Sequence, residues 1–196
     1  MTVEALYSIY KKSSLSTRLR RNRYDRIVKS LKLQTGENIL EVGCARGIDF
    51  AQFAVQDHKF VGVDIADVDR ICKFEFHQLD ARRMPWADQE FDCVVSIGVL
   101  EHIQPLDVLC QVSLEIRRLG KRFCMIVPSS GTWIEPHTWT PFWQLRDKNR
   151  KKPYKHDELN YLSDEAWVQL PGFVGAETKR YWHAPGIQNL MIVGGK

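Results

Sequence analysis

The stretch that decides the fold is residues 39–49, which read I-L-E-V-G-C-A-R-G-I-D. An apolar run leads into Glu41, then into a turn with Gly43 and Gly47, and a helical pattern follows. This is the layout of a nucleotide-type ligand site at the carboxyl end of a first parallel strand. Because the spacing G-x-x-x-G differs from the dinucleotide fingerprint G-x-G-x-x-G, the turn alone does not identify the ligand.

Two further acids, Asp64 and Asp80, follow later apolar runs. The carboxyl ends of adjacent parallel strands share one edge of a sheet, so we expect both acids to join Glu41 there. At that edge Asp64 can accept hydrogen bonds from ribose hydroxyls, and Asp80 can accept one from an adenine amino group. Each acid can instead cap a turn. Three carboxylates together repel a pyrophosphate and favour a cationic, hydroxyl-bearing nucleoside.

Composition predicts one globular domain over residues 1–196, with 44% hydrophobic and 27% charged residues. The five cysteines form no C-x-x-C pair, which indicates reduced thiols, a cytoplasmic protein and no metal site. No apolar run has membrane-spanning length and no signal-peptide pattern opens the chain, so no membrane span is expected. The net charge is +4, with basic clusters at residues 11–26 and 146–156 that we interpret as solvated surface.

Hydrophobic periodicity predicts strands that alternate with helices, and therefore an α/β fold with a doubly wound parallel sheet. The predicted strands are residues 38–42, 59–64, 74–79, 91–96, 122–127, 175–182 and 189–193, the last two as a terminal antiparallel hairpin. The predicted helices are residues 17–32, 48–55, 105–119 and 163–170. The link between residues 64 and 74 is too short for a crossover helix, so a loop is expected there.

Two regions flank this pattern. Residues 1–35 are predicted to form an N-terminal helical cap. Residues 128–162 carry four prolines and several aromatic residues, and they are predicted to form an insertion on the substrate side of the domain. A loop of this length in a compact domain is usually functional.

The chain resembles the class I S-adenosylmethionine-dependent methyltransferases, in particular the methyltransferase type 11 group. E-V-G-C-A-R-G resembles the first motif of that family, G-V-D-I the second, and residues 79–103 the third and fourth together. The motifs cover about residues 36–127. The resemblance implies S-adenosyl-L-methionine as the cofactor and a Rossmann-like, three-layer αβα fold. Its mostly parallel sheet would have seven strands, with the antiparallel hairpin at one edge.

The resemblance also implies roles for individual residues. Those that would contact the cofactor are Glu41, Gly43, Cys44, Ala45 and Gly47 at the methionine part, Asp64 and Ile65 at the ribose and adenine, Asp80 and Ala81 at the adenine edge, and Ser96 and Ile97 beside the methyl-transfer centre. Ala45 departs from the glycine that the family usually has at that position. Its methyl group is expected to be tolerated if the backbone there avoids positive φ.

Candidate catalytic residues are His137 and His102, which can act as general bases or can simply pack the loops that hold them. Candidate substrate-binding residues lie in the insertion, where aromatic side chains can cover an acceptor or pack the insertion onto the sheet. They are Trp133, Glu135, Trp139 and Phe142. Tyr10 and Arg18 are further candidates for closing over the methionine carboxylate.

The expected reaction is in-line transfer of the sulfonium methyl to a small-molecule acceptor, with a glycan or secondary-metabolite hydroxyl as the candidate. The protein is expected to be a monomer or a homodimer. An RNA methyltransferase is an alternative, but S-I-G-V after the fourth strand does not match the D/N/S-P-P-Y/F pattern of base-amine methylation, so no nucleic-acid partner is expected. A non-catalytic S-adenosylmethionine-binding protein stays open as well, whereas the glycine spacing disfavours a nicotinamide dehydrogenase.

Overall fold

The computed structural model describes residues 14–145 and 159–195. Within them the strands are β1 Asn38–Val42, β2 Lys59–Asp64, β3 Glu75–Gln78, β4 Phe91–Ile97, β5 Gly120–Pro128, β6 Ile134–Glu135, β7 Thr140–Pro141, β8 Glu177–Ala184 and β9 Ile187–Gly195. The α-helices are α1 Ser14–Leu31, α2 Ala51–Ala54, α3 Leu106–Leu119 and α4 Asp164–Val168. Short 3-10 helices cover Leu100–His102 and Trp143–Leu145.

Seven of these strands form one sheet in the order β3-β2-β1-β4-β5-β9-β8, and β6 pairs with β7 as a separate hairpin. Strands β1 to β5 are parallel, whereas β9 runs antiparallel to both β5 and β8. The order reverses direction at β1, which places a crevice beside the carboxyl ends of β1 and β4. The predicted parallel sheet with an antiparallel edge hairpin is confirmed.

Apolar residues on the two faces of the sheet build two separate cores. Leu40 faces α3 and α4, where Leu109, Ile116 and Trp167 are fully buried. Its neighbour Ile39 faces the opposite way, toward Ile27 of α1 and the buried side of α2. Successive side chains of a strand point to opposite faces, so helices cover both sides of the sheet and the three-layer αβα arrangement follows.

Most predicted elements have the expected type, with shifted ends. The largest shift is the helix predicted for residues 48–55, which is regular only over Ala51–Ala54 because turns occupy residues 43–50. The link after β2 is a loop, as its length predicted. The described residues 128–145 of the insertion contain the β6–β7 hairpin, which the sequence pattern did not predict. No helix in the described ranges has both the length and the apolar character needed to cross a membrane.

The turn after β1 has positive φ at three positions, Gly43, Ala45 and Gly47. Gly43 has a φ of 77°, and a Cβ there would lie 2.3 Å from a methyl group of Val99. Ala45 has a φ of 42°, so the condition under which its methyl group was expected to be tolerated without strain is not met. The cause is a hydrogen bond of 2.8 Å from the Ala45 N–H to Asp64 Oδ2, which ties the turn to the end of β2.

We predict that Ala45→Gly stabilises the protein. A left-handed conformation costs a residue with a Cβ roughly 1–2 kcal/mol, and glycine adds roughly 0.4–1 kcal/mol of unfolded-state entropy. The net gain in unfolding free energy should be about 0.5 kcal/mol. Urea denaturation measures it, with Ala87→Gly as the control, because exposed Ala87 has a negative φ and should lose stability. A less stable Ala45→Gly protein would contradict the assignment of strain.

Candidate functional site

A cavity of about 680 Å³ opens at the carboxyl ends of β1, β2 and β4. Its walls come from the turn after β1, the ends of the neighbouring strands and the start of α3. Predicted cofactor residues that line it are Glu41, Gly43, Cys44, Ala45, Asp64, Ile65, Asp80, Ala81 and Ile97. The sheet therefore brings together most of the residues that the motifs indicated.

Glu41 is the most unusual group in this cavity. The residue is 2% exposed, and Oε2 of its carboxylate has no hydrogen-bond partner among the described residues. Burial, together with the nearby negative charge of Asp49, raises the pKa of Glu41 well above its usual value, although the Ala51 N–H donates a hydrogen bond to the carboxylate. A buried carboxylate that faces a cavity with an unused oxygen favours a cationic ligand group.

Asp64 holds the turn and faces the cavity at the same time. Its Oδ2 accepts from Ala45 N at 2.8 Å and its Oδ1 accepts from Ala66 N at 2.9 Å. A carboxylate has about four acceptor positions, so two remain for ligand hydroxyls. The neighbouring Ile65 side chain lines the same cavity and is 75% exposed, which suits contact with a flat apolar ring.

Asp80 has a partner that the sequence did not reveal. Its Oδ2 binds Arg82 Nη2 at 2.6 Å and Nε at 2.9 Å, and its Oδ1 accepts from Arg82 N at 2.9 Å. These hydrogen bonds lower the pKa of Asp80. Both residues line the cavity, and of the roughly four acceptor positions of the Asp80 carboxylate, Arg82 leaves one for a ligand donor.

Two predicted cofactor residues lie outside the cavity wall. Ser96 is 1% exposed, and its hydroxyl donates to the Val42 carbonyl at 2.8 Å, which joins β4 to β1 beneath the turn. Gly47 faces Phe74, and a Cβ there would lie 2.8 Å from the ring. Both residues are buried behind the cavity wall, so they support the wall and do not contact a ligand in the cavity.

Asp49 is a cavity residue to which the sequence assigned no role. It lies in the turn before α2 and makes ion pairs with Arg20 and Arg23 of α1. Two residues were expected from the sequence to close over the methionine carboxylate. Of these, Arg18 is exposed on α1, and Tyr10 lies outside the described residues. Spacing along α1 was the available signal, because residues 20 and 23 share a helix face and residue 18 does not.

A second cavity of about 210 Å³ adjoins the first. Gly98, at the end of β4, lines both cavities. The wall of the second cavity also includes Arg23, Glu101, Ile126, Val127, Pro128, Pro136, His137, Trp139, His183, Ile187 and Asn189. Glu101 and His137 thus face the second cavity, while His102 faces the first.

The β6–β7 hairpin presents His137 to this second cavity. His137 Nδ1 lies 2.7 Å from Glu135 Oε1, and Thr138 and Tyr161 also donate to the same carboxylate. Glu135 is fully buried. Burial alone would raise its pKa, but hydrogen bonds from His137, Thr138 and Tyr161 lower the pKa of Glu135 to about 2. Glu135 therefore orients His137 as an ionised carboxylate.

Glu101 and His102 lie opposite this histidine. The His102 and His137 rings meet edge to face with centroids 4.8 Å apart. Glu101 is 1% exposed, and burial raises the pKa of its carboxyl group to about 7. Burial also lowers the pKa of His102. Sequence reasoning missed Glu101, although its position next to His102 in L-E-H-I was a usable signal.

The predicted substrate residues of the insertion separate into two groups. Trp139 lines the second cavity, and Glu135 lies behind its wall. Trp133 is 58% exposed and packs edge to face on Trp182, and Phe142 is 62% exposed. Trp133 and Phe142 therefore line neither cavity, because the hairpin turns them toward solvent.

A sheet of this order, with a carboxylate-lined cavity at its parallel carboxyl ends, defines the class I S-adenosylmethionine-dependent methyltransferase fold. Residues 16–174 match the family model of the methyltransferase domain, and the chain belongs to that family. The predicted enzyme class and the predicted cofactor, S-adenosyl-L-methionine, are confirmed.

Known relatives agree with this assignment. The 27-O-demethylrifamycin SV methyltransferase of Amycolatopsis mediterranei is 27% identical over 124 residues, which are 54% of this chain. The match spans 45% of that relative's length. The 1,6-didemethyltoxoflavin-N1-methyltransferase of Burkholderia thailandensis, solved with S-adenosylhomocysteine, has a TM-score of 0.64 at 17% identity, covering 97% of this chain and 84% of its own.

A third similar structure is the magnesium protoporphyrin IX methyltransferase of Synechocystis. It has a TM-score of 0.66 at 13% identity, covering 97% of this chain and 92% of its own. At these identities the two solved structures establish a shared fold, and they leave the acceptor open.

We predict that Asp64→Ala weakens binding of S-adenosylhomocysteine by about 100-fold, because hydrogen bonds to a charged group contribute roughly 1.5–3 kcal/mol. Part of this loss comes from the hydrogen bond that the Ala45 N–H donates to Asp64, which holds the turn after β1 in place. Isothermal titration calorimetry measures the affinity, with Asp67→Ala as the control, because Asp67 carries an exposed carboxylate on the next loop. An affinity within twofold of wild type for Asp64→Ala would show that this carboxylate does not hold the ribose.

We also predict that His183 makes stability depend on pH. Burial, with smaller contributions from the positive charges of Arg23 and Arg20, lowers the pKa of His183 to about 4, and the negative charge of Asp49 only partly opposes this shift. The unfolded chain takes up the proton near pH 6.5. Between pH 6.5 and 4 the unfolded state therefore binds more protons, and the unfolding free energy falls by up to about 3 kcal/mol as pH falls.

His183→Gln should remove this component of the pH dependence. The measurement is urea denaturation of both proteins at several pH values between 4 and 7. Equal pH dependence in the two proteins would contradict the depressed pKa.

Proposed function

We propose that this protein transfers a methyl group from S-adenosylmethionine to a hydroxyl oxygen of a small-molecule acceptor. The observation that carries the proposal is the meeting of two cavities at Gly98, with Glu101, His102 and His137 at their boundary. The larger cavity has carboxylates that suit a cationic cofactor with ribose hydroxyls. The smaller cavity has polar groups that suit a methyl acceptor.

The residues of the larger cavity fit S-adenosylmethionine. Glu41 Oε2, which has no hydrogen-bond partner among the described residues, suits the ammonium of the methionine part. Asp64 suits the ribose hydroxyls, and Ile65 suits the adenine face. When bound, the cofactor supplies an already activated sulfonium methyl, so the protein mainly needs to orient the acceptor and manage its proton.

We assign the proton-accepting role to His137. The carboxylate of Glu135 holds Nδ1 of the ring at 2.7 Å, which sets the ring orientation and stabilises an imidazolium. When an acceptor hydroxyl oxygen bonds to the methyl carbon and the sulfur–carbon bond breaks, the hydroxyl proton would pass to Nε2 of His137. His102, whose ring lies against the His137 ring, lines the larger cavity next to His137.

A natural product is the acceptor class that we propose. By their names, the rifamycin and toxoflavin enzymes methylate compounds of this kind, at oxygen in one case and nitrogen in the other. The second cavity combines apolar walls from Ile126, Val127 and Ile187 with polar groups from Asn189 and His183. Such a mixed lining suits a ring-containing molecule with a few oxygen atoms.

We predict that His137→Ala lowers methyl transfer by about 100-fold or more, since a positioned base contributes roughly 10²–10⁴-fold. Affinity for S-adenosylhomocysteine should stay within twofold of wild type, because His137 faces the second cavity. The measurement is turnover of methyl-labelled S-adenosylmethionine with a panel of hydroxylated natural products, followed by calorimetry.

His77→Ala is the matched control, because His77 also pairs with a carboxylate, Glu75, but lies on β3 away from both cavities. It should keep wild-type turnover. Unchanged turnover in His137→Ala would remove this residue from the reaction. A wild-type protein that binds the cofactor but methylates no member of the panel would favour a non-catalytic cofactor-binding protein.

A further inference from the structure

Three potential metal ligands converge where the two cavities meet. Glu101 and His102 belong to the 3-10 helix after β4, and His137 comes from the turn between β6 and β7. His137 Nε2 lies 3.7 Å from Glu101 Oε1, and His102 Nε2 lies 4.0 Å from the same oxygen. One ligand atom from each residue lies within 4.8 Å of the others.

The carboxylate of Glu101 lacks the contacts that normally stabilise such a group. The residue is 1% exposed, and neither carboxylate oxygen has a hydrogen-bond partner within the described part of the chain. A buried charge without hydrogen bonds is costly unless it is paired or coordinates a metal. The two histidines face Glu101 at ion-pair distances, too long for hydrogen bonds.

The surroundings of His137 are those of a metal-bound histidine. Glu135 Oε1 holds Nδ1 at 2.7 Å, and Nε2 is thereby turned toward Glu101. Histidine ligands usually give their other ring nitrogen to a carboxylate, which fixes the ring and makes the ligand nitrogen more basic. Glu135 is itself fixed by Thr138 and Tyr161, so the orientation of His137 is set before any ion binds.

We propose that Glu101, His102 and His137 bind a divalent first-row transition-metal ion. Two imidazole nitrogens and one carboxylate oxygen suit Zn²⁺ or Co²⁺ better than Mg²⁺ or Ca²⁺, which prefer oxygen ligands. Ligand atoms of a tetrahedral zinc site lie about 3.4 Å apart. The separations of 3.7 and 4.0 Å therefore need only small side-chain movements.

The sequence predicted no metal site because it lacks any metal-ligand spacing. The chain brings these ligands together from positions 35 residues apart, so only the fold reveals them. Three protein ligands leave coordination positions open toward the two cavities, as in catalytic metal sites. The ion would then supply Lewis-acid chemistry.

A role for the ion in the reaction rests on the proposed function. The acceptor oxygen would bind the ion and lose its proton to solvent, and the oxygen would then bond to the methyl carbon as the sulfur–carbon bond breaks. Free and metal-loaded protein thus activate the acceptor differently, through His137 in the first case and through the cation in the second. Metal binding itself is independent of this role.

The experiment is a titration of chelator-treated protein with Co²⁺, followed by calorimetry and by the visible absorption bands of the bound ion. Wild type should bind one Co²⁺ per chain, and Zn²⁺ should displace it. Glu101→Gln and His137→Ala should each weaken binding at least 10-fold, in the range seen when a metal site loses a ligand or a supporting partner. His77→Ala, which removes an exposed histidine on β3, should bind like wild type.

Two results would overturn the inference. One is the absence of Co²⁺ binding by wild type, and the other is equal binding by wild type and Glu101→Gln when circular dichroism shows that both are folded. Turnover of methyl-labelled cofactor by the chelator-treated protein is measured in parallel. Turnover without Co²⁺ binding rejects the metal site and keeps the proposed function. Co²⁺ binding without turnover keeps the metal site and rejects the proposed function.

Discussion

The candidate cofactor site is organised around one buried acidic group, the carboxyl group of Glu41, whose pKa burial raises well above its usual value. It lies at the end of the first strand with 2% exposure and one oxygen without a hydrogen-bond partner among the described residues. Removing a carboxylate from water is costly, and the Ala51 N–H compensates for only part of that cost. We propose that a cationic ligand group in the adjoining cavity supplies the missing partner. Such a partner would favour a sulfonium amino-acid nucleoside over a phosphate-bearing one.

The fold adds a second constraint by tying the turn after β1 to the end of β2. Asp64 accepts a hydrogen bond from the Ala45 N–H and still faces the cavity, so one carboxylate both shapes the loop and keeps acceptor positions free for a ligand. Gly98 directly follows strand β4 and lines both the larger cavity and the smaller one. The cluster of Glu101, His102 and His137 lies at this junction, where we propose that an acceptor meets the methyl group.

The sequence predicted the sheet and the edge of the sheet at which the expected cofactor residues lie, because those signals are local. Buried parallel strands read as apolar runs, and an acid directly after each run indicates its place at the carboxyl edge. Short elements were harder to predict, since turns replace the first part of the helix before Ala51. The positive φ of Ala45 was missed because it follows from a hydrogen bond to a residue 19 positions away. Glu101 and Arg23 were missed for a similar reason, because their roles arise from contacts between distant segments.

A crystal structure of the complex with S-adenosylhomocysteine tests this account most directly. The account predicts that the ligand's ammonium lies within hydrogen-bond distance of Glu41 Oε2 and that its ribose hydroxyls lie on Asp64. The sulfur should face Gly98 and the junction with the second cavity. A ligand whose ammonium lies away from Glu41, or a protein that binds no S-adenosylhomocysteine at millimolar concentration, would contradict it.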